Sequence, residues 1–222
     1  MKSIPIWDVP VRLFHWTIVG LVLALWITAE QDWMEVHVYC GIAVLILLLF
    51  RVLWGVFGNT YARFSQFVCG IPTVVNYVAN LFKHQPTTYL GHNPLGGWSV
   101  ILLLTMLFVQ ATTGLFAYDD VATEGPLYHL ITEDAGKWLS EIHEINFNIL
   151  LVLIVLHVSA LFFYRIFKHE NLVLPMLTGC KRVTIDTSVS AARFVSSWLA
   201  LLLLGLVAAV VYVLLFVVAV NI

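Results

Sequence analysis

The chain has 222 residues, of which 61% are hydrophobic and 11% charged, and its mean hydropathy is +0.93. A water-soluble domain runs nearer half apolar and a quarter charged, so the composition excludes one and describes a protein whose solvent is the bilayer. The net charge of −2 points to neither an acidic nor a basic partner, and no nucleic acid is expected.

The amino terminus leads into an apolar run, Leu13–Ala29, that is long, lacks a small-residue cleavage site, and holds His15 and two tryptophans. It reads as a retained first span and not as a secretory signal. The second span is Val36–Phe57. Only the polar stretch from Glu30 to Glu35 separates the two, and so short a link predicts an antiparallel hairpin. A moderately apolar stretch follows, Pro72–Phe82, too short to cross and expected to form a helix at the interface. Pro86, Gly91, Pro94, Gly96 and Gly97 then mark an irregular loop.

The third and fourth spans are Trp98–Tyr118 and Ile145–Phe167, each near the roughly 20 residues that cross the hydrocarbon core. A linker from Glu170 to Ala192 leads to a fifth, Phe194–Val220, which has no histidine and no charge and reads as an anchor or packing partner. The fold class expected is all-α, an integral membrane helical bundle. Cys40, Cys69 and Cys180 are scattered and form no C-x-x-C, so neither a disulfide framework nor a covalently attached c-type haem is implied.

Lysine and arginine near span ends are retained on the cytoplasmic side. Lys2, Arg12, Arg51, Arg63, Lys83, Arg165, Lys168, Lys181, Arg182 and Arg193 fall on one side of the five-span weave, and only Lys137 on the other. This predicts a cytoplasmic amino terminus and a periplasmic carboxyl terminus. Glu30, Asp32, Glu35, Asp119, Asp120, Glu124, Glu133, Asp134, Glu141 and Glu144 make the external face strongly negative.

Four histidines lie in or at the edge of spans: His15, His37, His143 and His157. An ionisable side chain in a membrane is costly to bury without a partner. His143 and His157 are fourteen residues apart, a rise of about 21 Å with a residual rotation of about 40°, so they point the same way at two depths. His15 lies near the inner end of the first span and His37 near the outer end of the second. The depths match in pairs, and neutral imidazole is a normal axial ligand of haem iron. The expectation is an inner b-type haem held by His15 and His157 and an outer one held by His37 and His143.

Arg51, fourteen residues after His37 on the same helix face, stands at the inner level, where it can meet a haem propionate; it also reads as an ordinary positive-inside residue. Arg12, one turn before His15, is a weaker candidate for the same role. Gly41, one turn after His37, removes a side chain where a flat macrocycle would lie, and Gly20 and Gly114 read as helix-packing residues or as further clearance. His84, His92, His129 and His169 fall in loops and are expected to be solvated. Trp7, Trp16, Trp26, Trp33, Trp54 and Trp98 mostly fit interfacial belts.

The stretches Trp7-Asp8, Arg12-Leu13-Phe14-His15-Trp16, His37-x-x-x-Gly41, Arg51-Val52-Leu53-Trp54-Gly55, Tyr61-Ala62-Arg63-Phe64 and Gly91-His92-Asn93-Pro94-Leu95-Gly96-Gly97-Trp98, with the His143 and His157 pair, resemble the bacterial cytochrome b561 and nickel-hydrogenase b-type cytochrome family. The resemblance covers about residues 4–182. It implies a four-helix di-haem domain over 1–182, with His15, His37, His143 and His157 as axial ligands of two haem b groups. Residues 183–222 then form a linker and an additional span, a departure from hydrogenase-type members, which end after the fourth helix.

It also implies electron exchange between membrane quinone and an external redox partner, such as a periplasmic c-type cytochrome or another redox subunit, by an electron-transfer subunit of the bacterial inner membrane and not a stand-alone enzyme. Two other functions compete. One is oxidation of a small molecule such as superoxide at the outer haem. The other is a transition-metal transporter or sensor, for which midplane sites with carboxylate ligands would be expected.

Overall fold

The structure, a computed structural model, describes residues 2–82, 89–118, 124–183, 192–193 and 195–218. Lys83, His84, Pro86, Asp119 and Asp120, most of the linker before the fifth span, and that span's last residues lie outside this set. Among the described residues five helices are long and apolar enough to cross a membrane.

A short strand, β1 (Lys2–Pro5), precedes helix α1 (Val9–Glu30). The start of α1 is set by Asp8, whose side chain accepts from the Val11 backbone N–H, with Pro10 in the first turn where its missing N–H costs nothing. Three residues later α2 (Met34–Phe57) returns antiparallel, as the short link requires. Asp32 turns the corner with a φ of 55°. A 3₁₀ turn at Thr60–Ala62, the single-turn helix α3 (Phe64–Phe67) and α4 (Ile71–Ala79) follow. The α4 helix stands where the apolar stretch predicted one. None of its residues is buried, and Ile71, Val75 and Val78 are exposed.

Helix α5 (Pro94–Gly114) begins at Asn93, which caps the Gly96 N–H, with Pro94 as first residue. Helix α6 (Glu133–Phe167) begins twelve residues before the predicted fourth span: Thr132 caps it, and Glu133 and Asp134 favour its positive end. Its 35 residues measure about 52 Å against a hydrocarbon core of ~30 Å, so its polar first turns extend beyond the lipid. After α6 come α7 (Val173–Thr178), strand β2 (Cys180–Val183) and α8 (Ser197–Tyr212), which continues to Val218 in wider π turns.

Strands β1 and β2 pair antiparallel, Lys2 opposite Val183, and the Ile6 and Trp7 N–H groups donate to the Gly179 carbonyl at 2.8 and 3.0 Å. The amino terminus is thereby tied to the segment after α6, at what we term the proximal end of the bundle. The reversal after α7 needs a left-handed residue, and Gly179 supplies it with φ +83°.

Helix α2 is the centre of the packing. Ile18, Val44 and Leu48 join it to α1 and, through Leu104 and Leu107, to α5; Ile42, Val207, Val211 and Leu215 join it to α8. At the proximal end Trp54 is fully buried among Val11, Phe50, Ala62 and Ala200. The belt role expected of this tryptophan is therefore wrong: its indole N–H donates to Asp8 at 3.0 Å, and its ring fills the junction of α1, α2 and α8. The fifth span is a packing partner of α2, as its composition suggested.

Candidate functional site

Helix α1 packs along α2, and α6 packs along α5. The space left between the two pairs is a cavity of about 1110 Å³ including its open mouth, with apolar walls from Val22, Leu25, Leu107, Ala111 and Phe147. His37 and His143 both line it. Their ring centroids are 6.3 Å apart at an interplanar angle of 67°.

Each ring is held by the same device. The Nδ1 of His37 lies 3.0 Å from the Leu25 carbonyl oxygen and 3.3 Å from Thr28 Oγ1 on α1. A carbonyl only accepts, so His37 carries its proton on Nδ1 and presents Nε2 as a lone-pair donor. The Nδ1 of His143 lies 3.2 Å from Thr113 Oγ1 on α5. That hydroxyl donates to the Val109 carbonyl at 2.8 Å, so it accepts from His143, which leaves the same Nε2 free. Thr28 likewise donates to Ala24 at 2.8 Å. An N–H fixed by a neighbouring oxygen is the usual support of a metal-ligating imidazole.

The spacing also suits a shared metal. Two imidazoles bonded through nitrogen to one iron at about 2 Å have centroids about 6 Å apart. A Cβ at Gly41, which lines the cavity one turn after His37, would meet nothing within 4 Å, so this face of α2 is open to a flat group. Gly114 serves differently: a Cβ there would stand 2.9 Å from His143 Cε1, so its absence makes room for the imidazole itself. Gly20 also borders open space.

His15 and His157 lie toward the proximal end, near enough for their charges to interact. The His15 ring stands edge-on to Trp16 at 4.9 Å, and its buried Nδ1 has no hydrogen-bond partner. Arg51 is 3% exposed. One of its Nη atoms donates to the Ala62 carbonyl at 3.1 Å and its guanidinium lies 4.9 Å from the Phe64 ring centre, while Nη1 has no partner. Arg12 donates to the Leu177 carbonyl and packs against the Gly179 turn, with its Nε buried and unpartnered. Buried nitrogens without acceptors collect at this end, and a group bearing carboxylates would satisfy them.

His92 corrects the sequence reading. It is only partly exposed: its ring packs against Trp7 and Phe67, with centroids 4.7 and 4.6 Å away, and its Nδ1 is buried without a partner. Burial, with Arg51 and His157 adding to it, holds its pKa down to about 3, so the imidazole is neutral. Next to it, Asn93 donates to the Tyr164 hydroxyl at 2.9 Å, which lies 2.6 Å from that of Tyr77. Burial and then this bond push the Tyr77 hydroxyl pKa upward. Lys181 pairs with Glu170 and donates to the Tyr89 carbonyl at 2.6 Å, closing the proximal surface. His169 is exposed beyond α6, and His129 lies on the opposite side of the protein.

The structure brings His37 and His143 together, and it gives Thr28, Thr113 and His92 places that the sequence did not suggest. Among the described residues no three His, Cys, Asp or Glu side chains form a group that could hold a metal ion, and His37 and His143 stand as a pair. That suits an iron already held by a macrocycle better than a bare ion.

The family model described as prokaryotic cytochrome b561 matches residues 6–179. A "Probable Ni/Fe-hydrogenase B-type cytochrome subunit" of Rhizobium leguminosarum bv. viciae is 24% identical over 213 aligned residues, covering 80% of this chain and 88% of the relative. Proteins of the same description from Bradyrhizobium diazoefficiens and Rhodobacter capsulatus are 20% and 19% identical, again over 80% of this chain, and over 85% and 80% of their own lengths. No solved structure matches.

Proposed function

The chain belongs to the prokaryotic cytochrome b561 family, multi-pass membrane proteins that transfer electrons through b-type haem, and from that premise we propose that it carries two such haems, one at each end of the bundle. In this reading His37 and His143 hold the distal haem and His15 and His157 the proximal one. These four histidines would hold the haems, which when bound would supply one-electron chemistry between ferric and ferrous iron. The observation that carries the reading is the distal pair: two rings 6.3 Å apart, each fixed at Nδ1 by a different neighbouring helix, facing one cavity.

The protein's own part is to hold and to tune. Thr28, Leu25 and Thr113 orient the distal imidazoles and raise their basicity; Arg51 and, more weakly, Arg12 offer positive charge to propionates at the proximal level. Apolar walls line the distal cavity, and Gly41 leaves one of them flat. The fourteen-residue separation along α6, about 21 Å of rise, spans most of the lipid thickness between the two levels.

The basic proximal end is read as cytoplasmic and the acidic distal end as periplasmic in a bacterial inner membrane. The relatives' description as hydrogenase subunits supports a redox enzyme as partner at one face, and in this reading membrane quinone is the small-molecule partner. A cationic c-type cytochrome at the acidic face is a further candidate. Residues 1–182 form the haem-bearing unit in this scheme, and residues 183–222 add the helix that braces α2. Counting haem in the purified chain tests the proposal: two protohaem groups per polypeptide support it, and a single one overturns it.

A further inference from the structure

We propose that His92 is a cofactor-positioning residue that acts with Arg51 as a two-donor cradle for a carboxylate of the proximal haem. This rests on the reading that His15 and His157 hold a haem at that level. Three observations converge on His92. Its Nδ1 is buried and unpartnered, as is Nη1 of Arg51, and a buried polar nitrogen without a partner is destabilising. Arg51 and His157 both lie within electrostatic range of it, so the two free nitrogens belong to the level of the proximal ligand pair.

Its ring also packs against two others, Trp7 at 4.7 Å and Phe67 at 4.6 Å, which limits its orientation. Trp7 is 85 residues away in sequence and Phe67 is 25, so three separate segments of chain fix one imidazole. The chemistry this arrangement accepts is an anion with two oxygens, one for the guanidinium and one for the neutral imidazole N–H. A porphyrin propionate at the edge of a proximal haem is such a group. With His92 donating to it, the carboxylate's charge is partly neutralised and the ferrous state is favoured. Removing the N–H lowers the potential of that haem.

The test uses the full-length, haem-loaded protein in detergent and the variants His92→Phe, which keeps an aromatic ring between Trp7 and Phe67, and His92→Gln, which restores an N–H donor. Redox titrations that resolve the two haem components are read together with the propionate bending bands in resonance Raman spectra. The expected result is that His92→Phe shifts one component to lower potential and moves its propionate band, that His92→Gln recovers part of both changes, and that the other component does not move. The affected component is the one that His157→Ala removes. Unchanged potentials and bands, equal shifts in both variants, or loss of haem in both, would each overturn the cradle. If His157→Ala retains both haems, it is the ligand assignment beneath the proposal that fails, and this is read independently of His92.

Discussion

His37 and His143 face each other across the distal cavity with their ring centroids 6.3 Å apart, and neither ring is free to turn away. His37 is bonded to α1 and His143 to α5, so all four helices around the cavity have a part in holding the two rings. The arrangement comes from threonines back-bonded to their own helices, which leaves each hydroxyl only its acceptor capacity to offer.

Thr113→Val tests that support. The substitution keeps the branched shape and removes the oxygen 3.2 Å from His143 Nδ1. The imidazole then becomes less basic, and the outcome expected is a rise in the potential of the distal haem alone with a roughly 10-fold loss of its affinity. Redox titration with haem-retention assays checks this; a shift of equal size in both haems would count against it.

Gly41 separates clearance from packing. A Cβ at this position meets nothing within 4 Å, so Gly41→Ala retains both haems. Gly41→Leu places a branched side chain in the cavity and is expected to lower the haem content from about two per chain to one, the distal component being lost. Pigment content per polypeptide measures it.

Asp8 bears on stability. Its carboxylate accepts from the Val11 N–H at 2.7 Å, from the Trp54 indole at 3.0 Å and from Asn59. Asp8→Ala removes a helix cap and leaves a fully buried indole N–H without an acceptor, a cost of about 2–4 kcal/mol. Thermal denaturation of the detergent-solubilised protein, followed by haem absorbance, is expected to move down by several degrees or more.

The acidic distal face predicts a salt effect. Glu30, Asp32, Glu35, Glu133, Asp134, Glu141 and Glu144 lie on or beside it. Electron exchange with a cationic soluble partner should slow about tenfold as ionic strength rises from low to about 0.5 M. Stopped-flow rates that do not respond to salt would remove electrostatic docking from the account.

The spans and the spacing of His143 and His157 along α6 were legible because helical rise and rotation are constant, so fourteen residues translate directly into geometry. The start of α6 was not, since its first turns leave the lipid and read as a polar loop until Thr132 is recognised as a cap. His92 was hidden for another reason: the Gly- and Pro-rich stretch around it has no periodicity, and the rings that bury it come from distant segments. Its signal in the sequence is the Gly91–Trp98 motif, which carries the family resemblance and marks no site by itself. Thr28 and Thr113 read from sequence as small polar residues in apolar helices, and only the neighbouring helix reveals which imidazole each one holds. Trp54 failed as a belt residue because position near a span end does not say which way a side chain faces.

The most direct test of the account is a redox-resolved visible spectrum of four single variants, His15→Ala, His157→Ala, His37→Ala and His143→Ala, in the purified full-length chain. The account predicts two low-spin b components in the parent protein, with the first two variants removing one of them and the last two the other. Loss of the same component from His15→Ala and His37→Ala, or a parent protein with a single component, would contradict it.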